Sequence, residues 1–283
     1  WLPQLQFPHA AVQLPPLTAR LERLPEPVSR PAENPEPANP ITGAGASGKP
    51  AAETMHAMDK TEEPAAPPPF PNHLKLTFAV YQSEGGFRTG EIQQRLDISR
   101  DRYTLTAIKR TAGLTSLRKR IQSIQTSRGR IVAQGLQPDT FKQENFSAGG
   151  KQSLEAAFDR AAQKLRFSSG NDTALPADAQ DMLSFMYQLS QLPMQGEFFP
   201  LPVSDGSKLE TYEIEVGRKK DISTPMGKLR TLHLRKMHEQ SEAYFEIWLG
   251  LEYRLLPVRI RQIDRDGQIA GEMVVSDIRV AGE

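Results

Sequence analysis

Three groups of side chains in this 283-residue chain could do chemistry. The first lies in FEIWLGLEYRLLPVRI, residues 245–260, and just beyond it. There Trp248 stands close in sequence to Arg259 and Arg261, an indole face with two guanidinium groups. Such a set can make cation–π contacts or grip a carboxylate or phosphate in bidentate fashion. The second is Arg118-Lys119-Arg120, inside a run over residues 102–138 with eight Lys/Arg and no acid. That run is a local field able to attract an anion. Its plainer reading is a solvated face whose partners lie elsewhere in the fold. The third is Met182, Phe185 and Met186, spaced i, i+3, i+4. Flexible thioethers beside an aromatic ring suit an apolar ligand of variable shape, and they suit core packing equally. The three groups together point to non-covalent binding of an anionic amphiphile.

The remaining residues offer little to a catalyst. There is no cysteine, which removes thiol nucleophiles, thiolate metal sites and disulfides. His233 and His238 are five apart, so a regular strand would send them to opposite faces. No metal site is expected. GAGASGKP, residues 43–50, matches the opening of a phosphate-binding loop, but Pro50 replaces the Ser or Thr and no strand–helix context surrounds it. DRDG, residues 264–267, lacks the later ligands of a calcium loop and reads as a hairpin turn. The pairs Glu213 with Glu215 and Asp264 with Asp266 read as solvated charge, and no G-x-S-x-G elbow occurs. No catalytic residue and no cofactor are expected, and no nucleic-acid reading motif is present.

The elements that must position these residues are mostly strands. LKLTFAVYQ alternates Leu74, Leu76, Phe78 and Val80 against Lys75, Thr77 and Tyr81. Similar alternation returns after SEGG with Ile92, Leu96 and Ile98, and again in RYTLTAIKR. Residues 153–168 read as a hairpin, although their alanines would also suit a helix. Residues 178–192 read as the one helix, with Asp178 as its cap. After it, KLETYEIEVG, GKLRTLHLRKMH, AYFEIWLG, LLPVRIRQID and QIAGEMVVSDIRV resume the period of two. The expected fold is mainly β: a strongly curved antiparallel sheet or incomplete barrel of about ten to twelve strands around one packed helix.

Of the 23 prolines, sixteen fall in residues 1–73. That block has no sustained apolar period, so it cannot offset a backbone ordering cost of roughly 1–2 kcal/mol per residue. Residues 1–73 are expected to be a Pro-rich, largely disordered spacer, and residues 74–283 a single β-rich domain. The spacer has 5 basic and 8 acidic residues, which leaves the domain 30 basic and 26 acidic. The chain opens on WLPQLQFP, which reads as the trailing edge of a hydrophobic segment. An N-terminal membrane anchor ahead of this numbering is the expectation.

Taken in order, YQSEGGFRTGEIQQRL, LSFMYQLSQLP, LPVSDGSKLETYEIEV, STPMGKLRTLHLRK and FEIWLGLEYRLLPVRI resemble the domain-of-unknown-function 3108 family of exported bacterial proteins. The resemblance covers about residues 74–280. It implies a periplasmic location, with anchoring in the inner membrane through the N-terminus, and supplies no catalytic residue. The closing pattern of Trp248-Leu249 and residues 256–260 is also similar to envelope half-barrels of the lipoprotein-carrier type. On this reading Met182, Phe185, Met186 and Trp248 line a cavity. Either Arg118, Lys119 and Arg120, or Arg259 and Arg261, meet the headgroup of a lipid or other anionic amphiphile. A packed scaffold that binds an envelope protein is the alternative, and an enzyme acting on envelope glycans or lipids is a third.

Overall fold

The alternating segments pair into one continuous sheet. The computed structural model describes residues 69–84, 86–111, 120–194, 196–239 and 242–281. A first meander runs through β1 (His73–Tyr81), β2 (Arg88–Ser99), β3 (Arg102–Thr111) and β4 (Arg120–Val132). It continues through β5 (Gly135–Ser147), β6 (Gly150–Asp159), β7 (Lys164–Phe167) and β8 (Asp172–Ala174). A two-residue strand, β9 (Gln180–Asp181), then leads into the helix α1 (Ser184–Gln188) and a 3-10 turn, Leu189–Gln191. The second meander is β10 (Phe198–Ser204), β11 (Leu209–Thr224), β12 (Gly227–Lys236), β13 (Tyr244–Gly250), β14 (Leu256–Ile263) and β15 (Ile269–Ala281).

The spatial order is β8-β7-β6-β5-β4-β3-β2-β1-β15-β14-β13-β12-β11-β10-β9. The first and last long strands are therefore neighbours at the centre, with Leu76 opposite Gln94 on one side and Ile278 on the other. Every pairing is antiparallel except that of β9 with β10. Bulges interrupt the register between Thr77 and Phe78, Lys109 and Arg110, Arg128 and Gly129, and Val216 and Lys219. Each extra residue bends its strand and adds twist.

The curvature turns one face inward. Leu74, Leu76, Phe78, Leu96, Leu105, Phe141, Phe158, Ile214 and Ile247 are all buried there. A fully buried Leu, Ile or Phe contributes about 1.5–3 kcal/mol, so this face supplies the main driving force. The far wing folds back on the near one at the β10–β11 turn. Gly206, at φ +91, lies against Phe141 and Leu154 so closely that a Cβ would overlap the Leu154 methyl. Only glycine meets both demands at that point.

Two expectations need correction. The sheet has fifteen strands rather than ten to twelve. The additions include β8 and β9, which are too short to show a period, and β10, whose Pro200 and Pro202 disguise it. The helix covers five residues plus a 3-10 turn, not residues 178–192. Gln180 and Asp181 pair with Val203 and Ser204 instead; Leu183 stands at the helix N-cap, and the carboxylate that takes up amides there is that of Asp181 rather than Asp178.

Candidate functional site

The register sorts the inward side chains of the first meander into rows across the strands. The innermost row is Leu74, Leu96, Leu105, Ser127, Phe141, Ala156 and Phe167. One step toward the β1–β2 hairpin, the row is Leu76, Gln94, Ala107, Gln125, Gln143 and Leu154. One step further it is Phe78, Ile92, Lys109, Ser123, Asn145 and Gln152. On β3 and β5 the concave face thus grades from apolar to amine or amide, from Leu105 to Lys109 and from Phe141 to Asn145, whereas β1 stays apolar through Phe78. The amides are linked: Gln125 Nε2 donates to Gln143 Oε1 at 2.7 Å, and Gln143 Nε2 donates to Asn145 Oδ1 at 3.3 Å.

The α1 segment lies over the apolar row and touches both meanders. Phe185 packs edge-on to Tyr212 of β11, with ring centroids 6.1 Å apart, and against Phe245 of β13 at 5.7 Å. The Tyr212 hydroxyl points to Met182 Sδ at 3.4 Å. On the other side, the Tyr187 hydroxyl donates to Gln94 Oε1 at 2.8 Å. Gln188 accepts from the Leu136 amide at 2.7 Å and donates to the Gln134 carbonyl at 2.6 Å, clamping the β4–β5 turn. Gln180 donates to the Leu136 carbonyl at 2.8 Å.

Asp181 fastens the start of α1. Its Oδ1 accepts the amides of Leu183 at 2.9 Å and Ser184 at 2.8 Å, the work of a helix cap. The Ser184 hydroxyl accepts the Asp181 amide at 3.0 Å in return. The other carboxylate oxygen takes the Ser127 proton at 2.5 Å. Ser127 has one proton to give, so Tyr103, 2.9 Å away, must donate to it. Burial pushes the Asp181 carboxyl up to about 6, against the pull of these hydrogen bonds. Tyr103, Ser127 and Asp181 are all buried, and their hydrogen bonds tie β3, β4 and the start of α1 together.

Trp248 sits elsewhere. Phe245, Ile247 and Leu249 point inward with α1, and Trp248 and Glu246 alternate to the opposite face. There the Trp248 ring stacks on His233, centroids 4.7 Å apart, with Arg259 and Arg261 at 5.6 and 5.3 Å. Arg261 Nη2 reaches Glu272 at 3.2 Å and Glu84 at 2.9 Å, and Arg259 Nη2 donates to the Ser223 carbonyl at 2.8 Å. His233 Nε2 is 3.4 Å from Glu246 Oε1, without hydrogen-bond alignment. That imidazole, with help from Arg261 and Arg235, holds the Glu246 carboxyl below its usual range despite burial.

The structure therefore gathers Met182, Phe185 and Met186 on the concave side. It gathers Trp248, Arg259 and Arg261 on the other side, so the expected single site is two groups on two faces. Arg118 and Lys119 lie outside the described residues; Arg120 opens β4 and its side chain also lies outside them. Sequence reasoning missed Lys109 and the Gln94, Gln125 and Gln143 row. The available signal was polar residues falling on the buried parity of strands.

Glu272 balances both arginines on the Trp248 face, and its side chain is only 6% exposed. Glu272→Gln is expected to destabilise the protein by about 1–3 kcal/mol, because it removes the buried carboxylate shared by Arg259 and Arg261 and leaves the exposed Glu84 beside them. Urea unfolding read by Trp248 fluorescence checks this; an unchanged midpoint would contradict it.

Residues 77–274 match the family described as protein of unknown function (DUF3108). The chain belongs to that family. Its membership spans every long strand from β1 to β15 and so includes both candidate faces. No curated protein matches the chain. Among solved structures, a β-barrel-like DUF1849 protein from Brucella abortus aligns at 11% identity, with TM-score 0.47. That alignment covers 74% of this chain and 98% of the other. A protein with a YmcC-like fold from Bacteroides fragilis also aligns at 11% identity, covering 75% and 97% of the two chains, with TM-score 0.31. Neither likeness carries a functional argument for this DUF3108 chain.

Proposed function

We propose that this DUF3108 domain is a non-enzymatic module of the cell envelope that binds an amphiphilic, lipid-like ligand on the concave face of its sheet. The carrying observation is the grading of that face, from the Leu74–Phe167 row through amides to Lys109. A surface of that kind matches a molecule with an apolar body and a polar end. Met182 and Met186 of the α1 segment are the adaptable apolar contacts, since methionine fits varied shapes, and Phe185 between them is the fixed one. In the proposed arrangement residues 1–73 are a periplasmic spacer between an inner-membrane anchor and the domain.

A second reading has its own observation. Phe185, Tyr187 and Leu189 are buried, and polar bonds at Asp181, Tyr187 and Gln188 hold the segment in place. That packing suits a closed scaffold whose partner is another envelope protein. Native mass spectrometry of protein purified from membranes, with titration of a dansyl-labelled fatty acid, separates the two. A co-purifying lipid or saturable uptake is the expected result. Ligand-free protein with no uptake would sink the binding reading and leave the scaffold.

A further inference from the structure

We propose that the outer polar rows of the concave face, centred on Lys109 with Ser123, Gln125, Gln143 and Asn145, form the seat for a singly negative headgroup. This inference rests on the ligand reading above and names which end of the ligand goes where. The register carries it. Lys109 stands between Ile92 and Ser123, and the Ser123 row continues to Asn145 and Gln152. Lys109 falls on the same parity as the buried Tyr103, Leu105 and Ala107, so strand alternation sends it to the concave side. The amine is thus on the inner face, not on the solvated one where most lysines of a strand are found.

Its surroundings are suited to an anion. The two rows hold an amine, a hydroxyl and five side-chain amides, and no carboxylate among Ile92, Lys109, Ser123, Asn145, Gln152, Gln94, Gln125 and Gln143. Amide N–H groups and an ammonium are the donors that satisfy an oxyanion. The chain of Gln125 to Gln143 to Asn145 bonds fixes the orientation of those amides across two strands. Burial lowers the Lys109 amine to about 8, so it still carries its charge at neutral pH and lacks part of its hydration. A partly dehydrated cation gains more from an anion than a solvated one does.

The position also agrees with the helix. The Tyr187 hydroxyl reaches Gln94 in the middle row, which places α1 over the apolar row. Lys109, Ser123 and Asn145 are one step beyond it and only half-buried. An apolar chain would lie under or in place of α1, with its charged end between β3, β4 and β5. The Arg259 and Arg261 pair lies on the other face, beside Glu272 and Glu84, and takes no part in this seat.

Three probes of similar chain length test the assignment: oleate, 1-oleoyl-lysophosphatidylglycerol and uncharged monoolein. Binding is measured by isothermal titration to the wild-type chain and to Lys109→Gln. The expected result is tighter binding of the two anionic probes, a loss of tenfold or more in Lys109→Gln, and an unchanged monoolein affinity. Loss for oleate alone would identify a carboxylate, and loss for the lysophospholipid alone a phosphodiester. Either anion bound equally well by Lys109→Gln and wild type, with no loss for the other, overturns the inference. Monoolein binding as tightly as the anions overturns it too, while the ligand reading survives. If no probe binds, both fall. Protection of the Lys109 amine from reductive methylation by the anionic probes, but not by monoolein, supplies a readout on the wild-type chain. Equal methylation with and without those probes contradicts the seat even where the variant does not fold.

Discussion

Phe185→Ala is expected to cost about 3–5 kcal/mol, the range for removing a buried phenyl ring from a well-packed core. Phe185 is 3% exposed and contacts two aromatic rings on different strands. Those rings, Tyr212 and Phe245, are themselves 5.5 Å apart and held in the β11–β13 ladder. They cannot close over the space the phenyl leaves, so the cavity persists and the upper part of the range applies. The ring is also the main apolar link between α1 and the second meander, and its loss should loosen the helix as well as lower global stability. Urea unfolding gives the first quantity, and amide exchange at residues 184–188 the second. A cost below about 1 kcal/mol would mean that α1 rests on the sheet without sealing it.

Asp181→Ala is the second large effect, expected at about 2–4 kcal/mol near pH 4, where the contribution of this group is full. It removes a helix cap, about 1 kcal/mol, and leaves the Ser127 hydroxyl and two amides without their buried acceptor. Asp181→Asn keeps the acceptor for both amides and should cost far less. The two variants also differ from wild type in pH dependence. The carboxyl at about 6 lies above its unfolded value of 3.8, so between those values the folded chain holds a proton that the unfolded chain has released. Stability from this group is full below about pH 4 and is lost as pH rises through 6, a change of about 3 kcal/mol at 1.36 kcal/mol per unit. Asp181→Asn should flatten that slope. Unfolding midpoints measured from pH 4 to 8 decide it, and a wild-type slope retained in Asp181→Asn would assign the titration elsewhere.

The long strands were legible because one face is buried and the other is wet. Leu74, Leu76, Phe78 and Val80 declare β1 by alternation alone, and the same holds for Tyr212 and Ile214 in β11. β10 was not legible. Pro200 and Pro202 argue against a strand, yet their missing donors are tolerated because β9 pairs only at Val203 and Ser204. The helix was overextended because apolar residues recur before and after α1 in segments that are buried without being helical. For the site, alternation along β13 and β14 places Trp248 on the face opposite Phe245 and Arg259 with Arg261, although the expected cavity set Trp248 beside Phe185. Alternation could not say which face curves inward, because that depends on bulges and on the return of the far wing. Nor could it bring Tyr103, Ser127 and Asp181 together, since those contacts cross many strands. Lys109 went unnoticed for a related reason: a basic run reads as surface until the register assigns each member to a side.

The pairing of β1 with β15 has a consequence for the order of events in folding. Each meander is a succession of neighbours in sequence, and its contacts can form locally. The seam between them cannot: the Ser276 hydroxyl reaches the Thr77 carbonyl across 199 positions of chain. The entropic cost of closing that long loop is concentrated in one strand pair. A chain joined from Ala281 to His73, which already stand opposite each other, and opened between β8 and β9 would keep nearly every contact. In that rearranged order every strand would pair with its immediate successor, and the seam would become a simple hairpin. The native sheet is, in this sense, a single ribbon cut at its middle and entered from the cut.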